Sequence, residues 1–161
     1  MNARAESLIA GLQLQPHPEG GHYREVFRST EEVAPRDGRG ARSALTAIFF
    51  LLAAGEHSRW HRVASDEIWQ FCEGDPLELF WLDADGRSFR ERLGPLSATG
   101  CRPLHVVPAG AWQAARPSGA CTLSACTVAP GFAFEDFAML ADCPDEAQRV
   151  RAAFPDLMGL V

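Results

Sequence analysis

From Leu45 onward the chain is cut at short intervals by residues that turn the backbone, and this punctuation limits the fold more than any other feature. Gly74-Asp-Pro76, Asp83-Ala-Asp-Gly86, Gly94-Pro95, Pro108-Ala-Gly110 and Pro117-Ser-Gly119 separate short segments rich in apolar and aromatic residues. Segments of that kind, recurring roughly every 8–12 residues, read as strands of a sandwich or barrel. Strands are predicted over residues 45–53, 58–63, 67–72, 77–83, 88–93, 104–107, 112–116 and 121–128. The first of these is apolar almost throughout, as suits a strand covered on both faces. The fold class is all-β: a sandwich, jelly roll or small barrel.

The ends are different in character. Leu8, Ile9 and Leu12 share a face of a helix predicted over residues 1–14, with Asn2 as its cap and Gly11 as its end. Pro16-His-Pro18 forces extended backbone, and Gly20-Gly21 permits a sharp turn or a close approach by another segment. Residues 22–28 alternate, with Tyr23, Glu25 and Phe27 on one face, as in a half-buried strand. Residues 29–43 are charged and glycine-bearing without a period and read as a mobile, solvated loop, with an anion contact at Arg36, Arg39 and Arg42 as the alternative. An aromatic segment (Phe132, Phe134, Phe137) follows Pro130-Gly131. A closing helix is predicted over residues 143–154, capped by Asp142 and stopped by Pro155.

At 161 residues the chain is expected to form one domain, residues 1–161, with a sizeable core. A net charge of -6 argues against nucleic acid as a partner, because phosphate binding needs a basic face. Five cysteines without a CxxC pair fit reduced, buried thiols. The longest apolar run, residues 44–54, is about half a membrane span. The N-terminus lacks the basic-then-apolar pattern of a signal peptide. The expectation is a soluble cytoplasmic protein without a membrane partner.

The chemistry concentrates between Gly55 and Gly74. A turn near Ala64-Ser65 is expected to fold this stretch into a hairpin. Facing residues of a hairpin lie roughly 5 Å apart at Cβ, which would bring His61 and Glu67 together. Alternation places Arg59, His61 and Val63 on one face, and Glu67, Trp69 and Phe71 on the next. A pocket with a base, an acid and a cation follows, with Trp69 as a wall. Past Pro108-Ala-Gly110, Gln113 and Ala115 share a face. His17, His22 and His105 carry no ligand spacing and read as structural. Cys72, Cys121 and Cys126 read as small buried hydrophobes.

The pattern G-x5-H-x-H-x3-E-x6-G is the first signature of the cupin superfamily, and Gly55, His61, Glu67 and Gly74 match it with Val63 in place of the second histidine. The second signature resembles Pro108, Gly110 and Gln113, with glutamine where a histidine is usual. Pro16-His-Pro-Glu-Gly-Gly, Ser58-Arg-Trp-His, Ser65-Asp-Glu-Ile-Trp and Val107-Pro-Ala-Gly-Ala-Trp-Gln further resemble a small bacterial and fungal cupin family known mainly as a domain of unknown function. The resemblance implies a cupin jelly roll, a double-stranded β-helix, with short terminal helices, and a homodimer.

Cupins commonly hold Fe, Mn, Ni or Zn with three histidines and a glutamate. Carried over here, the set shrinks to His61, Glu67 and the weak amide oxygen of Gln113, with carbon at Val63. His57 is too far along an extended strand to substitute. The expectation is therefore no cofactor and a His61–Glu67 hydrogen bond, with a divalent metal on His61, Glu67 and Gln113 as the alternative. The resemblance implies a small-molecule enzyme of isomerase, epimerase or lyase type acting on a small polar metabolite, anionic ones included. His61 would be the base, Glu67 its partner, Tyr23 the opposing acid, and Arg59, Trp69 and Gln113 ligand contacts. The alternatives are a metal-dependent enzyme such as a dioxygenase, and a non-catalytic binding protein.

Overall fold

The computed structural model describes residues 2–161; Met1, at the start of the predicted N-terminal helix, lies outside them. Helix α1 (Ala3–Leu12) precedes strands β1 (Gln15–Pro16), β2 (His22–Arg28), β3 (Glu32–Val33), β4 (Arg42–Ser43), β5 (Thr46–Ala53), β6 (Ser58–Val63) and β7 (Asp66–Gly74). There follow β8 (Leu77–Leu82), β9 (Ser88–Leu93), β10 (Leu104–Val107), β11 (Trp112–Pro117), β12 (Cys121–Ala129), β13 (Phe137–Met139) and helix α2 (Pro144–Ala153). One sheet has the order β1-β2-β5-β12-β7-β10 and faces a second of order β13-β6-β11-β8-β9. These two antiparallel sheets with short terminal helices form the expected jelly roll.

Three apolar layers result from the strand period of two. Phe50, Leu52, Trp69, Leu79 and Val107 fill the space between the sheets. On β5 the intervening Leu51 and Ala53 point the other way and pack beneath Ala5 and Leu8 of α1. Trp60, Phe80 and Trp112 cover the outer face of the second sheet and meet Val150, Phe154 and Leu157 of the C-terminal segment. The Trp60 indole donates to the Leu157 carbonyl at 3.2 Å, so its polar end is satisfied within that layer.

The helix ends depart from expectation. The Asn2 side chain does cap α1, accepting from Ala5 N–H at 2.7 Å. Gly11 lies inside the helix, and Gln13, with φ of 54°, takes the left-handed closing position instead. Asp142 does not cap α2, which begins at Pro144 with Cys143 in the cap position and no side-chain cap bond. Residues 29–43 are better anchored than a solvated loop: β3 pairs with β4, and Arg42 and Arg39 bond Asp136. Among the described residues no helix is long and apolar enough to cross a membrane.

One correction decides the site. β6 and β7 are not a paired hairpin, because Ala64-Ser65 carries the chain from one sheet into the other. β6 pairs with β11 and β13, while β7 pairs with β12 and β10. Pro108-Ala-Gly110 turns a second corner beside the first, with Gly110 N–H donating to the Val63 carbonyl at 2.8 Å and Ala109 N–H to Asp66 Oδ1 at 2.8 Å. His61 and Glu67 consequently face each other across the barrel, from opposite sheets.

Candidate active site

A cavity of about 320 Å³ lies between the sheets, its floor and walls including His61, Glu67, Trp69, Phe50 and Tyr23. That volume is at the lower end of the ~300–1,000 Å³ range of small-molecule sites. His61, Glu67, Trp69 and Tyr23 thus come together as the sequence predicts. Gln113 stands behind them as a buried support. Arg59 does not join them.

The position of Arg59 follows from a bulge. Gln113 pairs with His61 and Ala115 with Ser58, so three residue steps on β6 match two on β11. The extra residue breaks alternation. Ser58 and His61 then point inward together, their Oγ and Nδ1 3.3 Å apart. Arg59 turns outward and donates to the Pro18 carbonyl.

His61 is held at both nitrogens. A carbonyl only accepts, so the 2.8 Å contact between Nδ1 and the Arg59 carbonyl places the proton on Nδ1. Nε2 lies 3.3 Å from Glu19 Oε2. The partner of His61 is therefore Glu19, and the expected His61–Glu67 hydrogen bond does not form. Phe137 stacks on the imidazole at 5.5 Å between centroids. Burial lowers the His61 pKa, with the nearby Glu67 charge opposing the shift.

Glu19 is the functional residue that strand periodicity misses. Ser58 Oγ donates to its Oε1 at 2.9 Å. Its Oε2 lies 3.5 Å from His17 Nδ1. Burial pushes its pKa up to about 8, against the Ser58 bond and the Arg59 charge. His17, also on the cavity wall, is pushed down to about 4, chiefly by burial and then by His61. The tight turn that delivers both requires glycine. Gly20, at φ +113°, lies directly against the His57 backbone carbonyl, and Gly21, at φ +68°, faces the Leu51 carbonyl. The Pro-His-Pro-Glu-Gly-Gly phrase was the available signal for this loop.

Glu67 has a separate support. The Trp69 indole donates to Gln113 Oε1 at 3.0 Å, and Gln113 Nε2 donates to Glu67 Oε2 at 2.6 Å. The buried Cys126 thiol adjoins the carboxylate, which raises the thiol pKa further above its burial shift. Burial raises the Glu67 pKa to about 7, with His61 opposing.

These donors do not fit a resident metal. Gln113 gives its oxygen to Trp69, His61 Nε2 faces Glu19, and Val63 offers carbon. Among the described residues no group of three or more His, Cys, Asp or Glu side chains is arranged to hold a metal ion. Of the set His61, Glu67 and Gln113, the last turns its oxygen to Trp69 and its NH2 to Glu67, so it acts as a support for Glu67 in this arrangement.

The family model described as Cupin superfamily (DUF985) matches residues 6–140. The chain is a cupin of the DUF985 family. A Shewanella oneidensis protein aligns with all of this cupin and 95% of its own chain, at 33% identity and a TM-score of 0.81. A hypothetical protein from Leishmania major is also 33% identical, over 92% of this chain and 97% of its own, with a TM-score of 0.78. Oxalate decarboxylase from Bacillus subtilis, at 18% identity and a TM-score of 0.59, covers 87% of this chain and only 34% of its own. That likeness is one of fold. Among curated proteins none matches this cupin.

Proposed function

We propose that this cupin is a proton-transfer enzyme of isomerase, epimerase or lyase type, acting without a metal on a small polar metabolite in the cavity. The observation that carries the reading is the His61–Glu19 contact, in which a fixed Nδ1–H tautomer turns the other ring nitrogen toward a buried carboxyl. A carboxyl with a pKa of about 8 holds its proton at neutral pH, so the pair has one proton to give. Glu67, with a pKa of about 7, is available as the opposing base. In an isomerisation Glu67 would take a proton from carbon beside a carbonyl, and the His61–Glu19 pair would supply one to the substrate. Solvent then returns the proton from Glu67 to the pair. Tyr23, packed edge-on against His17 at 4.5 Å, lines the same cavity, where its hydroxyl would hydrogen-bond the substrate.

The test is deuterium incorporation. Small hydroxy-carbonyl compounds incubated with the protein in D2O should gain deuterium at the carbon next to the carbonyl, read by NMR. Glu67→Gln and Glu19→Gln should each abolish incorporation while leaving the fold intact by circular dichroism. Incorporation that persists at the wild-type rate in both would overturn the assignment.

A further inference from the structure

The charge arrangement along the cavity restricts what can enter it. The chain contains no lysine, so every fixed side-chain cation is an arginine. Among the described residues lining the cavity, the arginine is Arg28 at the mouth. It is already engaged. Its Nε and Nη2 donate to the two oxygens of Glu25 at 3.0 and 2.7 Å, and its terminal nitrogens reach the Phe132 carbonyl at 3.2 Å. Glu25 itself lines the cavity. An anion recruiting Arg28 would have to displace this carboxylate and then lie beside it.

The closed end is still less suited to an anion. Glu19 takes a hydrogen bond from Ser58, and Glu67 takes one from Gln113, both uncharged donors. Among the described residues no guanidinium bonds either carboxyl. An ammonium group gains little at the mouth either, because both oxygens of Glu25 are already taken by Arg28. The groups remaining are uncharged or weakly polar. His17 accepts at Nδ1 from Glu19 N–H, which places its proton on Nε2, and that nitrogen has no protein acceptor among the described residues. The rings of Phe50, Trp69 and Phe137 supply flat apolar walls, which suit the C–H face of a small ring.

We infer that the compound bound here is an uncharged, hydroxyl- and carbonyl-bearing metabolite of monosaccharide size, and that the Glu25–Arg28 pair excludes anions from the mouth. The inference deepens the proton-transfer reading and rests on it for the location of the site.

The test is binding of matched compounds, with 15N-resolved imidazole signals of His17 and His61 reporting occupancy of the cavity. A panel of aldoses, ketoses and lactones is compared with the aldonates and amino sugars of the same carbon skeletons at millimolar concentration. At least one uncharged member should shift both imidazoles, and its aldonate and amino counterparts should bind at least about tenfold more weakly. Glu25→Gln should strengthen aldonate binding by about tenfold or more, because Arg28 is released. The inference is overturned by tighter binding of an aldonate or amino sugar to the wild type, by no binding of any uncharged member, or by aldonate affinity unchanged in Glu25→Gln. Deuterium incorporation into an anionic compound that shifts both imidazoles would discard the charge class while retaining the proton-transfer reading. A ligand that stabilises the protein without moving either imidazole would discard the site itself.

Discussion

Trp69 Nε1–H donates to Gln113 Oε1 at 3.0 Å, and this bond decides which end of the Gln113 amide faces Glu67. An indole N–H is a donor only, so the amide must offer its oxygen there and its NH2 to the carboxylate. Trp69→Phe removes the donor and leaves a buried amide oxygen unsatisfied. The expected loss is about 1–3 kcal/mol in urea unfolding. The Glu67 carboxyl should also titrate at higher pH, because the amide is no longer held against it; carboxyl 13C titration measures that shift.

The pH dependence of stability has a definite sign. Glu19 and Glu67 have folded pKa values of about 8 and about 7, above the ordinary 4.5, so the folded state binds more protons between those values. Their contribution is complete below about pH 4.5 and is lost as pH rises through 7 and 8. His17, lowered to about 4 from 6.5, opposes this trend only up to about pH 6.5. Between pH 6.5 and 8 the protein should lose about 2 kcal/mol of unfolding free energy, and Glu19→Gln should remove about two-thirds of that decline. Urea melts across this range are the measurement, and a flat or rising profile would contradict it.

Gly20→Ala strains the turn that carries His17 and Glu19, since the new methyl would meet the His57 carbonyl at a φ that disfavours side chains. A cost of about 1–3 kcal/mol is expected from the backbone strain. The His61 Nε2 resonance should move as the carboxyl withdraws.

Asp136 joins the segment around Phe137 to the loop before β5. Arg42 bonds both its oxygens at 2.8 Å, and Arg39 adds a third bond at 3.1 Å. Asp136→Asn should destabilise the fold by about 1.5–3 kcal/mol, the worth of charge-assisted bonds of this kind. Thermal unfolding with and without a bound ligand separates this effect from a change in the cavity.

Val63→His with Gln113→His would restore the ligand types that the cupin signatures carry. The double variant should take up zinc or manganese at a higher ratio than the wild type when purified without chelator. Elemental analysis, with His61→Ala added as the control, reads the difference.

The fold was legible because turn residues and period-two patterning act locally. The β6, β9 and β10 boundaries fall where the sequence places them. His61, Glu67 and Gln113 were legible through the signature spacing. Their partners were not. Whether Ala64-Ser65 closes a hairpin or rounds a corner depends on which strands flank β6 and β7, and those strands lie far away in sequence. Arg59 points outward because of a register mismatch with β11, which inspection of β6 alone does not reveal. Glu19 reaches His61 through two close backbone approaches, at Gly20 and Gly21, rather than through any spacing.

The sheet that holds Glu67 has β12 (Cys121–Ala129) inserted between β5 and β7, paired to both. During synthesis, β5 and β7 leave the ribosome with the strand between them not yet made. The backbone groups of Ile68 and Gln70, which flank Trp69 and are paired with Thr127 and Ala125, wait on water until that strand arrives. The site therefore forms late on the nascent chain, and a transcript truncated before Cys121 would yield every proposed acid–base residue without the strand that closes the wall around them.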